Sequence, residues 1–351
     1  MAQARLHLPV ASWPDEDRQR FAAAFRKGPT IFDDAGPGAH LRLTTVGAIC
    51  FGWRRWLGWI ARTNPELLVG PAEARITPQR VKDFIQHLQE SNGSVGTAAT
   101  IARLYDGARY LLPEGDWGWL KILKTRLEKI SKPRTRMPIP ITSGRLFQLG
   151  IDLMAAAEAE ATGFGPPTSA AAIRYRDGLL VALASWLPLR RTNLAGLVIG
   201  ITFVREGPVW LIDIPGGSTK NGEAIQATVP GELGHHVDRY LAHFRPAIHR
   251  SSQHAGFWAS VRGSPMSGAA IYLSFVRAVR LASGLRLRLH DVRSIAFTTW
   301  ALYEPEKSAA AAGLLTDRSE QVIEQHYRRT QAIAACRAFN RIITARRRAE
   351  N

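Results

Sequence analysis

Two cysteines in 351 residues, Cys50 and Cys336, are too few and too far apart for a disulfide framework or a zinc site. No apolar run reaches the ~18 residues that mark a membrane span, so no membrane partner is expected. Met1 to His7 runs to Pro14 and Asp15 without an apolar stretch; no secretory segment is predicted, and a cytoplasmic location is expected. No period of 20 to 50 residues recurs, which excludes solenoids. Lys-rich blocks and basic amphipathic anchors are missing too, which argues against a membrane-surface protein. Gly216-Gly217-Ser218-Thr219-Lys220 ends in Thr-Lys but lacks the Gly-x-x-x-x-Gly-Lys-Ser/Thr order of a phosphate loop. His235, His236, Asp238 and His243 share one expected helix with no second ligand cluster, so a solvated face is expected there, not a metal site.

What is abundant is positive charge. Lys and Arg number 46 against 29 Asp and Glu, a formal net charge of +17. Such a field favours polyanions and makes binding salt-dependent through counterion release. Most of the cations are arginines spread along the chain, and the planar guanidinium suits bidentate phosphate contact better than an ammonium. Nucleic acid is the expected partner.

The length favours two domains. Residues 1–40 mix Pro, Gly, Asp and Arg without sustained periodicity and are expected to form a loosely ordered arm with one short helix over Asp15 to Lys27. From 41 to 131 a helical domain is predicted. Val46, Ile49, Cys50, Trp53, Trp56, Leu57 and Ile60 recur at helical spacing, with Thr44 or Thr45 as cap. Core packing is expected of Trp53, Trp56 and Trp59 ahead of base stacking. Thr77-Pro78 opens a second helix with Val81, Phe84, Ile85 and Leu88 on one face, and Asn92-Gly93 ends it. Two more helices follow, over Ser94 to Leu112 and from Trp117 past Leu127. Residues 132–140, with three prolines, cannot continue a helix and read as a basic linker.

From 141 to 351 a second domain is expected, mainly α with a small antiparallel β-sheet. Helical patterns cover Ser143 to Ala161 and Ala170 to Leu187. Three short β-rich runs follow, Leu197 to Val204, Pro208 to Ile214 and Ala224 to Val229, separated by turn sequences; helices resume near Gly231.

His290 and Arg293 are three residues apart, a spacing that places both on one helix face where they can reach a single anion. Arg190 precedes the strands, Lys220 sits in a strand-to-strand turn, and Tyr327 follows Arg293 by 34 residues. In this order and spacing the chain resembles the tyrosine recombinase (phage integrase) family. The resemblance is carried by Leu187-Pro188-Leu189-Arg190-Arg191, Thr219-Lys220-Asn221-Gly222, Leu289-His290-Asp291-Val292-Arg293 and Gln325-His326-Tyr327, and it covers residues 141–351. The preceding helical unit resembles the family's DNA-clamping core-binding domain in size and position. Two positions depart from the pattern. Asn193 stands where an acidic residue usually follows the first arginine. Arg318 stands nine before Tyr327, where a His or Trp is usual; Asp317 takes that place if the loop is one residue longer.

The resemblance implies a C-shaped two-domain clamp on double-stranded DNA attachment sites. It implies a site-specific recombinase or integrase that joins DNA 3′ ends to Tyr327 during integration or excision of a mobile element. Arg190, Arg293, His290 and Arg318 would surround the scissile phosphate. Arginine forks can stabilise a pentavalent transition state, and they lower the barrier for a phenol whose free pKa is near ~10. Lys220 would protonate the departing 5′ oxygen. No metal and no nucleotide cofactor is implied. A homo-tetramer on synapsed DNA, coupled by the C-terminal helix after Arg328-Arg329, accessory DNA-bending or directionality factors, and a place in the bacterial nucleoid are implied as well. Two rivals share the fold: a type IB topoisomerase-like enzyme and a catalytically inactive DNA-binding regulator.

Overall fold

The computed structural model describes residues 7–28, 30, 34–132, 139–161, 165–219 and 222–303. Most of the expected linker, Lys220, and everything after Tyr303, including Asp317, Arg318, Tyr327, Cys336 and the C-terminal helical pattern, lie outside the described residues. The chain divides into two compact units, Met1–Met137 and Pro138–Asn351.

The first unit is helical: α1 Asp15–Ala24, α2 Leu43–Thr63, a single turn α3 Ala72–Arg75, α4 Pro78–Ser91, α5 Ser94–Leu111 and α6 Gly118–Ile130. Thr77 caps α4 by accepting the Arg80 N–H at 3.3 Å, with Pro78 preset for the first turn. The cap of α2 differs from expectation. Arg42 holds that position and neither threonine does, because Leu43 already has helical geometry and takes Thr44 and Thr45 inside the first turn. Trp53, Trp56 and Trp59 are buried, Trp56 stacked on Trp59 and edge-on to Phe84, which gives the tryptophan stripe to the core.

Residues 7–28 are not loosely ordered. Trp13 is buried, and Asp17 on α1 is sealed in the core, accepting the Trp53 Nε1–H at 2.8 Å and the Arg75 guanidinium at 2.5 Å. Arg75 spends its other donors on the carbonyls of Leu67, Leu68 and Gly70. A buried charge pair persists only when its remaining hydrogen-bonding groups are satisfied in this way. The helix falls within the expected span of Asp15 to Lys27; what periodicity does not disclose is its anchor, a polar pair far apart in sequence.

The second unit opens with α7 Ser143–Glu160 and α8 Ser169–Trp186, capped by Thr142 and Thr168. They cross closely at Gly150: a Cβ there would lie 2.6 Å from the Ala182 nitrogen and 2.7 Å from the Gly178 oxygen. A five-residue helix α9, Arg191–Ala195, leads to a three-stranded antiparallel sheet in the order β1 Phe203–Glu206, β2 Val209–Ile214, β3 Ile225–Thr228. The register pairs Phe203 with Ile212 and Ile212 with Ala227. The first strand starts later than its sequence pattern. Residues 200–202 are spent on a turn with Gly200 at φ +76°, and Val198 bridges to Gly256 instead. Then come α10 Gly231–Arg239, which widens into a π-turn at Tyr240–Phe244, α11 Gly268–Ser283 and α12 Leu289–Tyr303. Their common core includes Tyr175, Leu183, Phe203, Ile212, Tyr240, Phe257, Trp258, Phe275 and Val292. Among the described residues no helix is long and apolar enough to cross a membrane.

Candidate active site

The site is assembled where α8 stops. Leu187 closes the helix by donating to the Leu183 carbonyl, and Pro188 cannot extend it. Arg190 follows with extended backbone (φ −62°, ψ 146°) as the N-cap of α9, half-buried. Two buried bonds hold this frame. Trp258 Nε1 donates to the Leu194 carbonyl at the end of α9 (2.8 Å), and Arg176 from α8 donates to the Ala259 carbonyl beside Trp258 (2.7 Å).

His290 and Arg293 lie in the first turns of α12. Leu289, Val292 and Ile295 face the core and fix the helix, so His290 emerges exposed while Arg293 is 6% exposed. Arg293 Nη1 donates to the Pro188 carbonyl at 3.0 Å, which ties the His-x-x-Arg helix to the segment bearing Arg190. Further along α12, Thr299 Oγ1 accepts the Ser143 N–H at the start of α7.

The start of α12 is set by Asp291 of that motif together with Arg288, the residue just before the helix. Asp291 is buried and accepts from Arg288 three times: the backbone N–H at 2.9 Å and Nε at 3.1 Å on one oxygen, and Nη2 at 2.9 Å on the other. An acidic residue at the third helical position reaching back to the N-cap N–H was the available signal. The Pro188 carbonyl carried no sequence signal at all.

The turn after β2 that carries Lys220 is closed at its base by buried Thr219. Its hydroxyl lies 2.7 Å from the Glu223 carbonyl and 3.0 Å from that of Gly216. Gly222 in this turn has φ +79°, a conformation that favours glycine. Asn193 is 5% exposed; its Oδ1 is 3.4 Å from Thr192 Oγ1, and its buried amide nitrogen meets no hydrogen-bond partner among the described residues.

Two phenols of the core are poor candidates for chemistry. Burial pushes Tyr240 up to about 12, and burial raises Tyr175 as well, the nearby Glu158 carboxylate adding to it. The histidine-rich stretch of α10 serves the fold instead. His236 Nδ1 lies 2.9 Å from the Tyr175 hydroxyl, and Asp238 accepts the Trp210 indole N–H and pairs with Arg205. Among the described residues no group of three or more metal-ligating side chains forms.

A helical unit followed by a helical unit bearing a small antiparallel sheet, with an arginine before the sheet and His-x-x-Arg after it, has the fold of the tyrosine recombinases. A structure of a lambda integrase dimer bound to a COC′ core site aligns over 83% of this chain and 90% of its own, with a TM-score of 0.50 and 16% identity. A XerH site-specific recombinase bound to a palindromic difH substrate, a post-cleavage complex, aligns over 95% and 98% with a TM-score of 0.53 and 11% identity. A lambda integrase tetramer bound to a Holliday junction aligns over 91% and 77% with a TM-score of 0.51 and 17% identity. No family model matches the sequence, and no curated protein does.

Proposed function

We propose that this chain is a site-specific DNA recombinase that cleaves and rejoins strands through a 3′-phosphotyrosyl link to Tyr327. The observation that supports it is the bond from Arg293 to the carbonyl of Pro188, two residues before Arg190, which ties the His-x-x-Arg helix to the segment of the first arginine on a fold shared with DNA-bound recombinases. In this reading the two arginines and His290 bind the non-bridging oxygens of a backbone phosphate. Charge developing there is stabilised by donors already in place. Tyr327 gives up its phenolic proton to water and attacks phosphorus, the P–O5′ bond breaks, and Lys220 gives its proton to the leaving 5′ oxygen. The freed hydroxyl of a partner duplex then attacks the phosphotyrosine, so the phosphodiester energy is conserved without nucleotide hydrolysis. Arg318, or Asp317 orienting an arginine, completes the phosphate's surroundings. Residues 41–131 grip the duplex, and four copies act on paired attachment sites of an integrating or excising element in the bacterial cytoplasm, beside the nucleoid.

The buried amide of Asn193, without a partner among the described residues and standing where an acidic residue is usual, favours one second reading: a DNA-binding regulator without strand cleavage.

The test uses nicked duplexes built from the DNA flanking the gene on its own element, read on denaturing gels. A covalent protein–DNA adduct that disappears in Tyr327→Phe is expected. Specific DNA binding with no Tyr327-dependent adduct overturns strand cleavage in favour of the regulator. Relaxation of plasmids lacking any paired site assigns the chemistry to a topoisomerase instead.

A further inference from the structure

We propose that Trp258 is a positioning residue for Arg190: its indole N–H holds the short helix that presents this arginine to the phosphate. The inference rests on the reading of Arg190 as a phosphate ligand. Two hydrogen bonds in series join the residues. The Arg190 carbonyl accepts the Leu194 N–H at 2.9 Å, and the Leu194 carbonyl accepts the Trp258 Nε1–H at 2.8 Å. Between them lies α9, only five residues long, with Arg190 as its N-cap. A helix of about one turn has no cooperative length to stabilise it, so its placement comes from what it is tied to.

Two further rungs join the same stretches of chain, from the Phe257 N–H to the Leu197 carbonyl at 2.9 Å and from the Ile199 N–H to the Ala255 carbonyl at 2.8 Å. Both are main-chain bonds that any residue but proline can make. At 258 the side chain makes the bond, so the identity of the residue matters. The ring is 1% exposed and edge-on to Phe257. Its backbone is fixed too: the Trp258 carbonyl accepts the Met266 N–H at 2.9 Å, and Arg176 holds the next carbonyl, that of Ala259, at 2.7 Å. Arg176 is clamped in turn by Asp177, whose Oδ1 accepts Nε at 2.9 Å and Nη2 at 2.6 Å. The indole is therefore a fixed donor. On the other side of Arg190 the Pro188 carbonyl accepts from Arg293 at 3.0 Å, so the arginine is bracketed in sequence by two tertiary bonds. Misplacement of a catalytic group by about 1 Å can cost ~10²-fold in rate, so losing one bracket should act on chemistry more than on DNA binding.

The test places benzothienylalanine at 258, which keeps the shape of the indole but has sulfur where the N–H was; Trp258→Phe, which also loses volume, is the second variant. Adduct formation is timed on saturating nicked duplex from the flanking DNA, and affinity is read by gel shift, each in the wild-type and in an Arg190→Lys background. The isostere is expected to slow adduct formation about 10-fold, less than the ~10²-fold of removing a preorganised donor, with DNA affinity within about 2-fold of wild type. Trp258→Phe should be at least as slow. In the Arg190→Lys background the isostere should cost less than about 2-fold, because lysine has no fork to aim. A purely structural contribution would instead show the same loss in both backgrounds and weaken DNA binding alongside. The inference is overturned by a wild-type rate for the isostere, by equal losses in the two backgrounds, or by a rate loss matched in affinity. A wild-type chain without a Tyr327-dependent adduct overturns strand cleavage and this role together, whereas a wild-type adduct with equal losses removes only the role of Trp258.

Discussion

Arg293 Nη1 donates to the Pro188 carbonyl at 3.0 Å, joining residues 105 apart and locking the His-x-x-Arg helix to the segment that presents Arg190. An arginine can do this with one nitrogen and still offer a second edge of its fork, whereas a lysine has a single head. Arg293→Lys should therefore lower the rate of Tyr327 adduct formation by roughly 10²-fold, the usual loss for one preorganised donor. DNA affinity in gel shifts should change far less, since many phosphate contacts share it. Equal losses in both measurements would make Arg293 a general DNA contact.

The Asp17–Arg75 pair predicts a stability effect in the first unit. Asp17→Ala leaves a guanidinium that is 1% exposed without its counter-charge, and breaking such a pair costs about 3 kcal/mol. Arg75 keeps three backbone carbonyls, which holds the loss at the low end of that class. The surface pairing of Lys124 with Glu128, one helical turn apart, should be worth less than about 1 kcal/mol, so Glu128→Ala is the control. Urea denaturation of the two variants measures both; matching midpoints would refute the buried pair as an anchor.

These two contacts mark the boundary of what the sequence discloses. Thr77-Pro78, the spacing of Trp53 and Trp56, and the alternation in Val209 to Ile214 are local rules, and the structure follows them. His290 and Arg293 were visible because three residues on a helix is itself geometry. Asp17 meeting Arg75 and Arg293 meeting Pro188 are long-range pairings, one between lone charged residues and one to a carbonyl that every residue has. Nothing local encodes either. The late start of β1 shares this cause, since Val198 is drawn to Gly256 by tertiary pairing that overrides its strand propensity.

His236 predicts a pH dependence. Burial lowers its pKa, with His235 and Arg239 adding to the effect and Glu158 and Glu232 opposing it, while its Nδ1 meets the Tyr175 hydroxyl. The unfolded chain, titrating near ~6.5, then binds more protons than the folded one just below that pH. This contribution to stability is complete above the unfolded value. It is lost as pH falls from there toward the lower folded value, and levels off below it. Thermal melts across this range should show the decline in the wild-type chain and a shallower one in His236→Gln. Parallel profiles would assign the dependence to other groups.

Lys220 is tested through the group it would protonate. Thr219, the residue before it, is held through the Glu223 and Gly216 carbonyls. General-acid help is typically worth about 10²-fold or more, and Lys220→Ala should slow adduct formation by that order. Replacing the bridging 5′ oxygen of the DNA by sulfur changes the leaving group to a thiolate, whose conjugate acid has a pKa near ~8.5 and which departs without a proton. On that substrate Lys220→Ala should approach the wild-type rate, while Arg293→Lys should stay slow, because transition-state charge still needs its donor. A Lys220 defect that persists on the sulfur-bridged DNA would reassign the residue from proton donor to DNA contact.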